Sequence, residues 1–107
     1  MWQLGKAIAI KVYTETNKFP QTEMFGLRSQ MRRSSVSIPS NIAEGFNRLH
    51  LNEHRQFLYV ALGSCAEIES QIEMSAELQY INNARKLELL EKLNHETRMI
   101  RNLIKKL

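Results

Sequence analysis

A stripe of small and apolar side chains in the second half of the chain constrains the fold more than any other feature. Between residues 51 and 79 these side chains recur every three or four positions: Leu58, Ala61, Cys65, Ile68, Ile72 and Ser75. That spacing places them on one face of an α-helix, so we predict a long amphipathic helix over residues 51–79. Gly63 lies mid-helix, where glycine costs about 1 kcal/mol relative to alanine, and we therefore expect a neighbouring backbone to approach it closely.

The rest of the chain is also predicted to be helical. It contains only four glycines and two prolines, and no alternation of apolar and polar residues suggests a strand. We predict helices over about 2–16 and 21–46, the second kinked near Pro39 and ended with the help of Gly45, and a last helix that begins at Asn82 or Asn83. Short connections favour an all-α, antiparallel up-down-up-down four-helix bundle, with residues 1–107 forming one domain.

The composition favours a soluble protein of the cytoplasm. A lone cysteine, Cys65, excludes an internal disulfide and suits a reducing compartment. Lys6 and Lys11 interrupt the apolar residues at the N-terminus. This leaves neither the core of an export signal nor an apolar span of about 20 residues for a membrane helix. We therefore expect no membrane partner.

The net charge of +4 comes from the last helix. Residues 1–84 contain eight basic and eight acidic residues, whereas residues 85–107 contain seven basic and three acidic ones. The polar side of this helix carries Lys92, Arg98, Arg101, Lys105 and Lys106. Such a basic strip can attract a polyanion, and it can equally be a solvated face whose cations interact favourably with the helix dipole.

Residues 28–45 form a helical run that mixes polar and apolar positions around Pro39. An interior proline removes one hydrogen bond at a cost of roughly 3 kcal/mol, and nearby short polar side chains can satisfy the freed carbonyl. Arg28 and Arg32 share a face, and both phosphate contact and plain solvation remain open for them. Arg33 could turn inward toward a glutamate and form a buried salt bridge. The structural polar cluster predicted in this way comprises Gln30, Arg33, Asn41, Glu44 and Glu67.

No residues with enzymatic chemistry converge in the sequence. His50, Glu53 and His54 match the H-x-x-E-H spelling of a zinc peptidase, but a third ligand is lacking, and we interpret them as a solvated helix start. Cys65 lies in the apolar stripe, where free cysteine usually acts as a small hydrophobe. Trp2, Tyr13 and the phenylalanines have core-like spacing, so no base-stacking platform is predicted. We expect no catalytic activity, no cofactor and no metal.

Two sequence blocks resemble a family of small bacterial four-helix-bundle proteins. The first is Gln30-Met-Arg-Arg33, then Ser37-Ile-Pro-Ser-Asn-Ile-Ala-Glu-Gly45, then Arg48. The second consists of Phe57-Leu58, Ala61-Leu-Gly-Ser64 and Glu67-Ile-Glu69. The family includes the proteins encoded in intervening sequences of 23S ribosomal RNA genes. The accessory variability determinant protein of diversity-generating retroelements is similar to it.

This resemblance implies a homopentamer with a ring-like, positively charged body that can engage RNA or DNA. We therefore predict a non-enzymatic nucleic-acid-binding or ribonucleoprotein accessory protein that contacts phosphates electrostatically. The predicted nucleic-acid-binding residues are Arg28, Arg32, Arg48, Arg98, Arg101, Lys105 and Lys106. The alternative is a protein-interaction scaffold that docks a partner such as a reverse transcriptase. Apolar Val60, Met74 and Leu78, which lie off the main stripe of their helix, point to self-association under either interpretation.

Overall fold

The computed structural model of the protein describes residues 1–107 and contains four α-helices. They are α1 (Trp2–Thr16), α2 (Leu27–Phe46), α3 (Leu51–Glu77) and α4 (Asn83–Lys106), with a short 3₁₀ turn at Gln21–Glu23 between α1 and α2. The molecule measures 43 × 24 × 19 Å. Its long axis corresponds to α3, since 27 residues at about 1.5 Å per residue span about 40 Å.

The order in which the helices pack defines the topology. Each helix packs beside its neighbours in sequence, and α4 returns to pack beside α1, whereas no Cα atoms of the diagonal pairs α1–α3 and α2–α4 lie within 8 Å of each other. With short connections, this arrangement is the predicted antiparallel up-down-up-down bundle. The whole predicted stripe of α3 is buried, from Leu58 to Ser75. It packs in one core with side chains from the other three helices, including Ile8, Met31, Ile38, Leu89 and Ile100.

Side chains cap the N-terminal ends of α4 and α2. Asn82 caps α4, because its Oδ1 accepts a hydrogen bond from the backbone N–H of Arg85 at 2.8 Å. The second helix begins at Leu27 and not at residue 21, because residues 21–23 form the 3₁₀ turn. Glu23 Oε1 accepts from the N–H of Leu27 at 2.9 Å, and Glu23 Oε2 accepts from the hydroxyl of Tyr80 at 2.9 Å. One carboxylate thus caps α2 and ties it to the end of α3.

The expectations for the two glycines are both corrected. Gly63 is exposed, and a Cβ placed there would have no neighbour within 4 Å, so no backbone approaches it. The helix α2 ends at Phe46, as predicted, but its cap is Asn47, and Gly45 is an ordinary helical residue without a positive φ. A Cβ at Gly45 would lie 3.0 Å from His54 Cδ2 and 3.3 Å from the His54 carbonyl oxygen. Gly45 is therefore the glycine that allows α2 and α3 to approach each other.

Pro39 lies inside α2, and the helix continues through it. The polar side chains around it bond differently from the expectation: none donates to the carbonyl of Ser35, the group that Pro39 frees. The Asn41 amide donates to the Ser37 carbonyl at 2.8 Å and to Ser37 Oγ at 2.9 Å. The hydroxyl of Ser64 on α3 donates to the same Ser37 Oγ at 2.8 Å. These groups link α2 to α3 beside the proline.

Most of the aromatic residues expected in the core lie on the surface. Trp2, Tyr13, Phe25 and Phe46 are exposed, Phe25 by 90%. Phe19 is buried and packs on Tyr80, with ring centroids 5.1 Å apart. No helix combines the length and the apolar character that crossing a bilayer requires.

Candidate nucleic-acid interface

The last turns of α4 carry cations that no acidic group neutralises. Arg98, Arg101, Lys105 and Lys106 are exposed, and none of them forms an ion pair. We call these four residues the α4 basic strip. They follow the helix at spacings of three, four and one residues, so the first three lie near one another on one side of α4. Their charges face solvent without compensation.

The cations at the beginning of α4 are paired instead. Lys86 Nζ lies 2.8 Å from Glu73 Oε1 of α3. Arg85 Nη1 lies 3.4 Å from Glu88 Oε2, and Arg85 Nε lies 3.8 Å from Glu15 Oε2 of α1. The basic excess of residues 85–107 is therefore concentrated at the C-terminal end of the helix.

A second group of arginines lines a pocket of about 450 Å³ between α1 and the first turns of α2. The lining residues are Tyr13, Met24, Arg28, Ser29, Arg32 and Arg33, and we call this site the arginine pocket. Arg28 and Arg33 form no ion pair and no side-chain hydrogen bond within the chain, whereas Arg32 is bound to α1. Arg33 was expected to turn inward, yet it is exposed and pairs with neither Glu44 nor Glu67.

The guanidinium group of Arg32 is bound to the C-terminal end of α1 and is not free at the surface. Its Nε donates to Thr16 Oγ1 at 2.9 Å, and its Nη2 donates to Asn17 Oδ1 at 2.8 Å and to the Tyr13 carbonyl at 3.2 Å. The guanidinium also lies 4.5 Å from the centroid of the Tyr13 ring. A cation is stabilising at the negative end of a helix dipole, so Arg32 fixes the C-terminus of α1 to α2.

The predicted polar cluster does not form a buried network within the chain. Gln30, Arg33, Glu44 and Glu67 are exposed, and Asn41 is half-buried. The reason is the orientation of α2, whose buried face carries the other set of helical positions: Met31, Ser35, Ile38 and Ile42. The polar residues therefore point away from the bundle. The four cluster residues of α2 share a helical face, which is exposed in the single chain except at the half-buried Asn41, whereas Glu67 lies on α3.

Arg48 is partly compensated and lies near the connection from α2 to α3. Its Nη2 lies 2.9 Å from Glu44 Oε2, and its guanidinium lies 4.8 Å from the centroid of the Phe57 ring. An exposed pair of this kind stabilises little, but it reduces the charge available to a polyanion. Arg48 is thus a weaker candidate for phosphate contact than the α4 basic strip.

The side chains considered for catalysis, Cys65, His50 and His54, do not form an active site within the chain. Cys65 lies in the core, and burial raises the pKa of its thiol to about 11, which disfavours the nucleophilic thiolate. His50 is exposed just before α3, whereas His54 is half-buried with its Nε2 unpartnered. No three histidine, cysteine or acidic side chains converge in a metal-binding geometry.

Glu96 is a buried acid that was not predicted from the sequence. Glu96 is fully buried, neither carboxylate oxygen has a hydrogen-bond partner, and burial raises its pKa to about 7. The signal was present in the spacing, because residue 96 lies three positions after Leu93 and four before Ile100, on the apolar arc of α4. The site residues Arg98 and Arg101 occupy the opposite, exposed side of the same turns.

Comparisons with known proteins agree with this architecture. A family model described as 23S rRNA-intervening sequence protein matches residues 1–102. The fold is similar to the crystal structure of a protein of unknown function from the S23 ribosomal protein family of Bacteroides thetaiotaomicron, with a TM-score of 0.90 and 19% sequence identity over 97% of each chain. The comparison with curated proteins finds no match.

Proposed function

Because the chain belongs to the 23S rRNA-intervening sequence protein family, we propose that it is a non-enzymatic, homo-oligomeric accessory protein that binds nucleic acid through phosphates. The α4 basic strip is the observation that carries this proposal. Arg98, Arg101, Lys105 and Lys106 combine exposure, lack of acidic partners and proximity along one helix end. Uncompensated cations in this arrangement raise the local concentration of a polyanion.

The expected mode of binding is electrostatic. Arginine and lysine contacts to phosphates release condensed counterions, so the affinity falls steeply with salt and depends little on base sequence. The strip presents no fixed set of groups aimed at base edges. We expect the protein to bind a structured RNA by its backbone, and DNA by the same means.

Self-association would multiply this effect. Val60, Met74 and Leu78 of α3 are exposed apolar side chains, which supports burial of this helix against other copies. In a homopentamer, the assembly proposed here, five basic strips would act on one polyanion, and the linked contacts would raise the overall affinity.

A protein-interaction scaffold is the second candidate. A groove of about 460 Å³ between α1 and α2 is lined mainly by apolar side chains, including Ile10, Tyr13 and Val36. A helix or loop of a partner such as a reverse transcriptase could cover it. Under this proposal the basic residues serve solubility alone.

The two candidates are separated by neutralising the α4 basic strip. Arg98, Arg101, Lys105 and Lys106 are all changed to glutamine, and binding of a fluorescent RNA hairpin is followed by anisotropy over a range of salt concentrations. A matched control changes Lys6, Lys11, Arg55 and Lys86 to glutamine, which lowers the net charge equally. The nucleic-acid function requires weaker binding for the strip variant, with a salt slope smaller by about one unit per lost phosphate contact, and near-native binding for the control. Undiminished binding by the strip variant would contradict it.

Light scattering on the same samples tests the assembly. A mass of five chains that increases on addition of RNA supports the proposal, whereas a monomer contradicts the oligomeric part. An oligomer that ignores RNA at low salt favours the scaffold.

A further inference from the structure

We propose that the arginine pocket is a discrete binding site for a nucleotide phosphate. The inference rests on the proposed nucleic-acid function. It adds a second phosphate contact, formed by residues between 13 and 33, that is separate in sequence from the α4 basic strip. Arg28, Arg32 and Arg33 contribute three guanidinium groups to one concavity, and no acidic residue is among its lining residues. Arginine stays protonated at physiological pH, so the pocket is positive under all such conditions.

Arg32 supplies a fixed wall. Its Nε and Nη2 are occupied by three hydrogen bonds to the end of α1, and its plane lies over the Tyr13 ring. The Nη1 group has no partner within the chain. A guanidinium held in this way loses little conformational entropy when a ligand accepts from the remaining N–H groups.

Arg28 and Arg33 supply the adaptable part of the site. Neither forms an ion pair, and neither donates a side-chain hydrogen bond in the chain. The nearby acid Glu23 is already engaged by the N–H of Leu27 and the hydroxyl of Tyr80. The oxygens of a phosphate group match the paired donors of guanidinium groups, and such bonds are about twice as strong as neutral ones.

The apolar residues in the lining of the pocket favour a nucleotide over a bare anion, and the pocket has room for one. Its volume of about 450 Å³ lies within the range of roughly 300–1,000 Å³ typical of small-molecule sites. Tyr13 and Met24 contribute exposed apolar surface to the lining. An exposed aromatic side chain next to bound phosphate offers a stacking surface that accepts any base.

The test compares small ligands with RNA on the full chain. Changes of backbone NMR signals are followed for inorganic phosphate, AMP and a single-stranded RNA octamer with either a 5′-phosphate or a 5′-hydroxyl. The variant is Arg28→Gln with Arg33→Gln, which spares Arg32 and its bonds to α1. Its control is Lys6→Gln with Arg55→Gln, which removes the same charge elsewhere. Circular dichroism checks that both variants are folded.

The expected result is AMP binding at residues 13, 24–29 and 33, at least tenfold weaker in the pocket variant and unchanged in the control. A preference for the 5′-phosphorylated octamer assigns a terminal phosphate to the pocket, and equal binding of the two octamers assigns an internal phosphodiester. AMP and octamer binding that is the same in the pocket variant and in the wild type overturns the inference. A loss of oligomer mass by the pocket variant, without any AMP effect, also overturns it and makes the pocket a protein contact.

The outcomes for the two proposals are distinguishable. If the wild type binds AMP in the pocket but no RNA hairpin, the nucleic-acid function fails and the phosphate site stands. If hairpin binding weakens in the α4 strip variant, while AMP and octamer binding are the same in the pocket variant and the wild type, the function stands and the pocket inference fails.

Discussion

Gly5 of α1 and Glu96 of α4 are packed so closely that a side chain at position 5 would have to displace the Glu96 carboxyl group. A Cβ on Gly5 would lie 2.7 Å from Glu96 Oε2, and 3.4 Å from atoms of both Ile38 and Pro39 of α2. The carboxyl group of Glu96 thus fills the space that a larger residue on α1 would take. It does so without any hydrogen-bond partner for its two oxygens. The contact between α1 and α4 therefore depends on an acid that burial favours in its neutral form.

The first prediction concerns the pH dependence of folding. Burial raises the pKa of Glu96 to about 7 in the folded chain, against 4.5 for the ordinary group, and the charge of the N-terminal ammonium opposes this rise. A raised pKa means that the folded state holds its proton more tightly than the unfolded state. The stabilising contribution of the protonated Glu96 is therefore fully present below about pH 4.5. As the pH rises through 7 this contribution is lost, and the free energy of unfolding falls by about 3 kcal/mol in total.

Urea unfolding of the wild type and Glu96→Gln between pH 4.5 and 8.5, at one protein concentration, measures this. The difference in free energy of unfolding is expected to change in favour of the glutamine variant as the pH rises. Parallel pH profiles for the two proteins would show that Glu96 does not titrate on unfolding.

The second prediction concerns the packing of Gly5. Gly5→Ala is expected to lower the free energy of unfolding by about 1–3 kcal/mol, since the new methyl group overlaps the buried carboxylate. In a Glu96→Ala background the same change should cost less, because the obstructing atoms are gone. The double-mutant cycle measures this coupling, and strictly additive effects would contradict the contact.

The third prediction uses the contrast between two helical glycines. Gly63→Ala is expected to stabilise the bundle by about 0.5–1 kcal/mol, because the position is open and alanine is the better helix former. Gly45→Ala is expected to destabilise it, because the methyl group would press on His54 and Phe57 at 3.0–3.2 Å. Thermal unfolding of both variants is the measurement. Should Gly63→Ala instead lower the native mass in light scattering, this face of α3 lies between copies.

The fourth prediction separates two arginines of the same pocket. Arg32→Gln is expected to cost about 2 kcal/mol of stability, because it removes charge-assisted hydrogen bonds to the end of α1. Arg28→Gln should change stability by less than about 0.5 kcal/mol, as expected for a surface cation without partners. Equal stability of the two variants in urea would contradict the structural role assigned to Arg32.

The sequence predicted well those features that depend on periodicity. The stripe from Leu58 to Ser75 identifies the buried face of α3 because a long helix repeats its orientation every three or four residues. A cap at Asn82 or Asn83 was predictable because capping is local, and the cap is Asn82, whose partner is the N–H of Arg85. Helix order and antiparallel topology then follow from short connections.

Features that depend on how helices are rotated could not be predicted in the same way. The start of α2 was misplaced because Glu23 caps it from outside the helix while also binding Tyr80, 57 residues away. Arg33 was predicted to point into the bundle. Both faces of α2 carry polar and apolar residues, so a helical wheel does not show which face is buried. Arg32 was assigned to the surface because its partners on α1 are 15–19 residues distant in sequence.

The two hydrogen bonds accepted by Glu23 also differ in how far apart their partners lie in the chain. One carboxylate oxygen of Glu23 accepts from the N–H of Leu27, which is close in sequence. The other accepts from the hydroxyl of Tyr80, and this second bond anchors the turn that carries Met24. A nascent chain that ends before Tyr80 can form α1 and α2 and still lacks that anchor. The hydrogen bond between Tyr80 and Glu23 therefore requires the chain to be made as far as the α3–α4 connection.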